Sequence, residues 1–263
     1  MPSFRHLLID GDILLYRTAW ATEKVGYHAA KARLDSTIMR VADKLDCHDG
    51  TIFLTGPHQF RKQVSKTSDG PSYKGNRKGA KIPQHLGQLR DYLVSDYDAI
   101  SLAGIEADDG MGILQQSAID KGYVNHVCIV STDKDLDQIP GWHYNLKSLK
   151  YITSEEADMF LYTQLITGDN ADNVYGIKGM GPVKAKKYLE ENPHPSSTLD
   201  LYVCQNLNDP DEGAQRYYRN KLLLAILRDY PQPELLGKDV HQNLISTLDS
   251  CISSLTRKLE GDT

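Results

Sequence analysis

Eight carboxylates fall into four short groups along the 263 residues: Asp10 closing HLLID; Glu106, Asp108 and Asp109 after AISLAGI; Asp133 and Asp135 after VCIVST; and Asp169 and Asp172 within TGDNADN. The first three groups directly follow apolar runs with the composition of buried parallel strands. Like charges gathered near a core repel one another, and an uncompensated buried carboxylate is expensive. A divalent cation removes both penalties. For a single acid in a helix's first turn, the positive end of the helix dipole would be explanation enough. Three acids within four residues, repeated in kind at Asp133 and Asp135, point to metal instead. Ligand sets made only of oxygen select hard ions such as Mg²⁺ or Mn²⁺, and the reaction such ions serve in pairs is in-line phosphoryl displacement.

Two further features suit an anionic polymer. Arg61, Lys62, Lys66, Lys74, Arg77, Lys78 and Lys81 stand against one acid, Asp69, so a basic segment is hidden inside a chain whose net charge is -5 and whose pI is about 6.0. Tyr73-Lys-Gly-Asn-Arg77 interleaves an aromatic with cations among flexible residues. Such a stretch is either a solvated loop or a clamp in which Lys74 and Arg77 neutralise the scissile phosphate. The loop from Gly176 through Gly179 and Gly181 to Pro182 then places glycines before a helix. Its amides are able to meet a phosphate at that helix's N-terminus, with Lys184, Lys186 and Lys187 nearby. Tyr16, on the helix after Asp10, is placed either to stack on a base or to fill the core.

The elements that must position these residues follow from periodicity. Continuous apolar runs at 6–10, 51–55, 99–103 and 126–131 predict strands covered on both faces. Helical segments at 13–24, 29–46, 84–94 and 107–121 separate them, the last closed by Gly122. This alternation predicts an α/β fold with a mainly parallel sheet flanked by helices, and ligands in such sheets collect at the carboxyl ends of strands. Beyond residue 150 the pattern turns helical. Thr153 and Glu156 resemble a capping box for a helix through Ile166, Pro182 suits a first turn, and 215–229 and 241–259 are amphipathic. The division expected is an α/β core over 1–150, with a basic arch at 57–85, and a helical part over 151–263. The four cysteines, Cys47, Cys128, Cys204 and Cys251, show no CxxC or Cys/His spacing, which argues against a zinc site or a disulfide framework. No window approaches the roughly 20 apolar residues of a membrane span, and MPSFRHLLIDGD runs straight into a strand without a signal-type stretch. A soluble cytoplasmic monomer with no membrane contact is the expectation.

Taken in order, LLIDGDILLY, QFRKQ with SYKGNRK, GIEADDGMG, VSTDKDLDQIP and TGDNADNVYGIKGMGP resemble the 5′-nuclease superfamily: flap endonucleases, the 5′ nuclease domain of bacterial DNA polymerase I and phage 5′ exonucleases. Within it the strings are most similar to the double-strand DNA exonucleases of short-tailed coliphages. The resemblance runs from about residue 6 to 190. It implies that Asp10, Glu106, Asp108 and Asp109 serve a first Mg²⁺ or Mn²⁺ ion and Asp133, Asp135, Asp169 and Asp172 a second. It also implies that Lys74 and Arg77 belong to a helical arch, that Tyr16 stacks near the scissile nucleotide, and that Arg61, Lys62 and Tyr73 contact DNA. Residues 165–191, with Gly179, Gly181 and Lys184, match a helix-three-turn-helix that holds duplex phosphates, often with a potassium ion. The partner implied is DNA with a 5′ end, nick or flap, and the setting is replication, in the host cytoplasm if the chain is phage-encoded. The activity implied is a 5′→3′ DNA exonuclease acting by two-metal hydrolysis. The alternatives are a structure-specific flap endonuclease, with RNA-DNA hybrids as further substrates, or a catalytically impaired DNA-binding homologue; a small-molecule phosphatase would leave the basic segment unexplained. One departure stands out. The family usually has an Asp after the second strand, where this chain has Gly56, and Asp12 shares a side with Asp10 only if the first strand continues.

Overall fold

Apolar runs without polar alternation become the buried strands. The computed structural model describes residues 2–206 and 209–261. In chain order the elements are β1 His6–Asp10, α1 Gly11–Ala21, α2 Tyr27–Leu45, β2 Gly50–Thr55, α3 Phe60–Thr67, α4 Leu86–Asp96, β3 Ile100–Leu102, α5 Ala107–Asp120, β4 Val127–Val130, β5 Gly141–Tyr144, β6 Leu149–Ile152, α6 Ser154–Thr167, β7 Gly168–Asp169, β8 Val174–Tyr175, α7 Pro182–Glu191, α8 Ser197–Gln205, α9 Pro210–Leu224, α10 Pro233–Leu236 and α11 Lys238–Glu260. Among the described residues no helix is long and apolar enough to cross a membrane.

The chain divides into two compact units that do not follow chain order. The first comprises Met1–Gln59, Lys81–Thr153 and Ile226–Thr263; the second comprises Phe60–Ala80 and Ser154–Ala225. This differs from the linear division at residue 150. The basic stretch folds with the later helices because Tyr73 and Val64 pack into an apolar cluster with Leu165, Val174, Tyr202, Tyr217 and Leu223. The last helices fold with the first unit, where α11 packs against α5 and Arg5 Nη1 donates to Leu259 O at 2.7 Å.

The first unit is an α/β layer built on a six-stranded sheet of order β3-β2-β1-β4-β5-β6. All neighbours run parallel except the β5–β6 hairpin. β1 and β4 are buried along their whole lengths, as their Ile, Leu and Val content demands. The full burial of side chains such as Leu8, Phe53 and Leu54 stabilises the sheet by about 1.5–3 kcal/mol each. The β5–β6 hairpin was not anticipated. β6 exposes three of its four residues, so its sequence carries no continuous apolar run to mark it. Because β1 pairs with β2 on one side and β4 on the other, the chain reverses its winding there, and the carboxyl ends of these strands form the natural crevice.

The second unit is helical around the two-stranded ribbon β7–β8. Its basic stretch is the two-turn α3, a loop and a single 3₁₀ turn at Gly75–Arg77, a good deal less helix than the arch expected there. Pro182 stands at the first position of α7 behind the N-cap Gly181, and Gly179 holds φ of +80°, a conformation that favours glycine.

Candidate active site at the carboxyl ends of the parallel strands

Asp10 ends β1 and caps α1, its Oδ1 accepting from Ile13 N at 3.0 Å. The second oxygen accepts from Ser131 Oγ at 2.7 Å, and the same hydroxyl accepts from Asp133 N at 3.0 Å. Ser131 follows β4, so one hydroxyl links the carboxylate groups at the ends of two adjacent strands. Asp133 in turn caps the turn that carries Asp135, its Oδ1 accepting from Asp135 N at 3.0 Å. A parallel bridge forms on the other side of β1. Asp12 Oδ2 accepts from Thr55 N at 2.9 Å, and Thr55 Oγ1 accepts from Ala107 N at 3.0 Å, joining the start of α1, the end of β2 and the start of α5. Glu106 and Asp108, both half-buried, lie at that start of α5. The first three acidic groups of the sequence therefore meet along one edge of the sheet.

The electrostatics mark Asp10. It is 2% exposed, and its carboxyl is pushed up to about 7, first by burial and then by the charges of Asp12 and Asp133, against the bonds from Ile13 and Ser131 that favour the anion. Among the described residues no cation pairs with it. A hard divalent ion would supply the missing positive charge, and the oxygen-only donors Asp10, Asp133, Asp135, Glu106 and Asp108 fit such an ion in kind. Their spacing is open: among the described residues no three acidic, His or Cys side chains already stand close enough together to hold a metal.

Several expected site residues have other work. Asp109 is 0% exposed, and its two oxygens accept from Glu106 N and Leu227 N, each at 3.0 Å. It clamps α5 to the chain before α10, and its full burial sets it apart from the half-buried Glu106 and Asp108 beside it. Arg61 is 3% exposed and donates to Leu223 O at 3.1 Å and Ala225 O at 2.7 Å, closing the end of α9 instead of meeting DNA. Tyr73 is 6% exposed in the apolar cluster, with its hydroxyl on Asp172 Oδ2 at 3.0 Å, so its ring is not available to a base. The resemblance implied DNA contact for both, and their burial speaks against it.

Asp169 and Asp172 belong to the second unit, where each has protein partners. Asp169 accepts from Ala171 N at 2.6 Å and Gln164 Nε2 at 3.1 Å. Asp172 meets Arg77 Nη2 at 2.9 Å and Lys74 Nζ at 3.9 Å as well as Tyr73. Lys74 and Arg77 are thus anchored on a carboxylate. Lys62 is exposed on α3, and Lys184 donates to Gly179 O at 3.1 Å, bracing the glycine turn. Gly181 has open space where a side chain would stand. Tyr16 is 47% exposed, which favours stacking over core.

Sequence reasoning missed Ser131 and set Asp12 aside. Ser131 stands in an ordinary Ser-Thr turn, and only the pairing of β1 with β4 brings it to Asp10. Asp12 reaches the end of β2 because the chain turns from strand into helix at Gly11. There it also meets Arg90 Nη1 at 3.4 Å. The absence of a carboxylate at Gly56 has a steric cause: a Cβ there would lie 2.5 Å from Leu102 O, because Gly56 N donates to that carbonyl at 2.8 Å.

Residues 5–164 match the model of the family described as 5'-3' exonuclease, N-terminal resolvase-like domain. The thermostable DNA polymerase I of Thermus aquaticus is 28% identical over 218 residues, covering 72% of this chain and 24% of the polymerase. DNA polymerase I of Rhizobium leguminosarum is 33% identical over 159 residues, 55% of this chain and 15% of the polymerase. The chain spans about a quarter or less of the length of these relatives. Among solved structures, the bacteriophage T5 flap endonuclease in a pseudo-enzyme-product complex with DNA and metal ions superposes with a TM-score of 0.72 at 19% identity, over 94% of this chain and 99% of that one. T5 5′-exonuclease with bound zinc gives 0.69 at 19% identity, over 93% and 98%, and the catalytic core of Rad2 with DNA substrate gives 0.52 at 12%, over 98% and 92%. These likenesses carry the fold, and the match over residues 5–164 carries the family: the chain belongs to the 5′-3′ exonuclease family.

Proposed function

We propose that the chain is a divalent-metal-dependent phosphodiesterase that releases nucleotides from the 5′ ends of duplex DNA. The observation that supports this best is Asp10, buried, short of positive charge, and joined through Ser131 to Asp133 at the carboxyl ends of two adjacent parallel strands. Asp10, Glu106, Asp108, Asp133 and Asp135 are the residues proposed to hold two Mg²⁺ or Mn²⁺ ions. Ions of this kind, when bound, supply a hydroxide nucleophile and stabilise the leaving oxygen. Ser131 is a positioning residue: its hydroxyl fixes the rotamer of Asp10 and orients the chain entering Asp133. Family membership and the DNA named in the T5 and Rad2 complexes support DNA as substrate. In the second unit, the glycine turn and the N-terminus of the ten-residue α7 are proposed to hold duplex phosphates through backbone amides, with Lys184, Lys186 and Lys187 adding charge.

The test is purified protein with Mg²⁺, Mn²⁺ or EDTA on blunt, nicked and flapped DNA labelled at the 5′ or the 3′ end. Mononucleotides from the 5′ label, in metal only, are the expected result. Oligonucleotides released intact from the flap identify a flap endonuclease instead. Release from the 3′ label, or full activity in EDTA, overturns the proposal.

A further inference from the structure

The second unit contains a cavity of about 540 Å³ lined by the loop 67–71 and by helix α9. On α9 its residues are spaced by one turn, Glu212, Arg216 and Asn220 with Arg219 beside them, and Tyr175, 59% exposed, lines it as well. Arg219 is only 9% exposed. Its Nε donates to Ser68 Oγ at 2.9 Å, its Nη2 to Pro71 O at 2.7 Å and its Nη1 to Asn220 Oδ1 at 3.4 Å. A guanidinium has five N–H groups, so the protein leaves part of this fork open. Gly70 packs against it: at φ of +118° a Cβ there would stand 3.0 Å from Arg219 Cζ. The loop is thus shaped around a buried cation, whose pKa is lowered by burial and then by the charge of Arg216, against the opposing pull of Asp69.

Arg216 is bound to backbone alone, its Nη2 donating to Tyr175 O at 3.3 Å and to Gly176 O. Among the described residues neither guanidinium forms an ion pair with a carboxylate. The acids of the cavity are Asp69 and Glu212, and Glu212 Oε2 already accepts from Asn206 Nδ2 at 2.9 Å. Arg216 and Glu212 also line a neighbouring cavity of about 270 Å³, to which Lys178 contributes. Across the two cavities the cations Arg216, Arg219 and Lys178 face the acids Asp69 and Glu212, so the lining is bipolar with a small positive surplus.

We infer that this cavity binds a free nucleoside monophosphate, with its phosphate on Arg216 and Arg219, its base against Tyr175, and Asp69 and Glu212 as acceptors for the amine of the base. A guanidinium fork matches phosphate oxygens in pairs, and a planar base stacks on a tyrosine face. The volume lies within the roughly 300–1,000 Å³ of small-molecule sites. An inorganic anion would leave most of that space and both carboxylates without a partner. A DNA strand is a poorer occupant, because its successive phosphates would run past two acids. The inference stands on the lining of the cavity and does not need the nuclease reading; where that reading holds, the ligand is the mononucleotide the reaction releases.

Calorimetric titration of the full chain in EDTA reads the site without cleavage. The nucleotide dAMP is expected to bind saturably, about tenfold more tightly than deoxyadenosine or inorganic phosphate, and to protect the amides of 67–71 and 212–220 from hydrogen exchange. Arg216→Gln, at an exposed position, is expected to weaken dAMP about tenfold with an unchanged melting temperature. Asp69→Asn is expected to weaken dAMP about threefold yet to tighten inorganic phosphate, since it removes both an acceptor for the amine and a charge that repels the anion. This opposite sign is independent of the Arg216 variant. No saturation at about 5 mM dAMP, equal affinity for inorganic phosphate, or protection at 106–109 and 131–135 instead, overturns the inference. Saturable dAMP binding by a protein that cuts no DNA leaves the site standing and removes the nuclease reading; cleavage without dAMP binding does the reverse.

Discussion

Asp10 in the first unit and Asp172 in the second are both buried carboxylates in acidic motifs, and their surroundings are opposite. Asp10 has a serine hydroxyl and a backbone amide for partners and two further acids, Asp12 and Asp133, nearby. Asp172 has Arg77, Lys74 and the Tyr73 hydroxyl. An acid already compensated by its own protein is part of the architecture. One left with surplus negative charge at the mouth of a parallel sheet is the one proposed to hold a metal ion. The motif spacing treats the two alike; only the tertiary neighbours separate them.

The largest expected effect tests the uncompensated side. Asp10→Asn should lower metal-dependent cleavage by about a thousandfold. It should also raise the stability of the metal-free protein at pH 8. The sign follows from the shift: a carboxyl raised from 3.8 to about 7 contributes stability in its neutral form below pH about 4 and loses it as pH rises through 7, a loss of roughly 4 kcal/mol at 1.36 kcal/mol per unit. Urea unfolding in EDTA measures this. A variant no more stable than wild type at pH 8 removes the claim that Asp10 carries uncompensated charge.

Acid should then separate the two units. His6 and His143 of the first unit are both lowered to about 4, chiefly by burial. A depressed imidazole leaves stability intact above the unfolded value near 6.5 and withdraws it as pH falls toward 4, by about 3 kcal/mol per residue. The second unit contains only the exposed His194. Hydrogen exchange near pH 4.5 should therefore show β1 and β5 opening before α6 and α9, and Asp10→Asn should steepen the loss by removing the opposing term. Simultaneous opening of both units breaks the comparison.

Gly56 offers a smaller and sharper test. Gly56→Ala should destabilise by about 2 kcal/mol, because its Cβ meets the Leu102 carbonyl at 2.5 Å and strands β2 and β3 must separate to admit it. Gly56→Asp should lose the same stability and gain no Mg²⁺ affinity, as read by thermal melts across a Mg²⁺ titration. A stable Asp variant with a lowered Mg²⁺ requirement means that the site lacks a ligand it is able to accept.

The smallest effect belongs to the compensated side. Asp172→Asn should cost about 1 kcal/mol, since Arg77 is more than half exposed and solvent screens that pair. The loss should be equal in EDTA and in Mg²⁺. A loss seen only with metal restores Asp172 as a ligand, the role its motif implies.

Much of the fold was legible in the sequence. The runs at 6–10, 51–55 and 126–131 became β2 and the fully buried β1 and β4, and the helices between them fell within a few residues of expectation, because burial on both faces leaves a continuous apolar signature. The β5–β6 hairpin was not legible, since an edge strand with one open face has no such run. The grouping of residues 60–80 with the second unit was hidden for another reason: Tyr73 reads as an aromatic among cations until Leu165 and Tyr217 are known to surround it.

The site divides in the same way. Sequence by itself determined the class of chemistry proposed, because oxygen-only clusters after strands narrow the ion and the reaction such residues suit. Tertiary structure decided which carboxylates the protein's own cations already compensate. Asp172 shares the residue type and motif setting of Asp10, but its oxygens meet Arg77 and the Tyr73 hydroxyl, 95 and 99 residues away in the chain, whereas among the described residues no cation pairs with Asp10. Ser131 gained its role from β1 pairing with β4, and Gly56 lost its side chain to the approach of β3. Charge compensation is a property of neighbours in space, and spacing along a chain does not encode it.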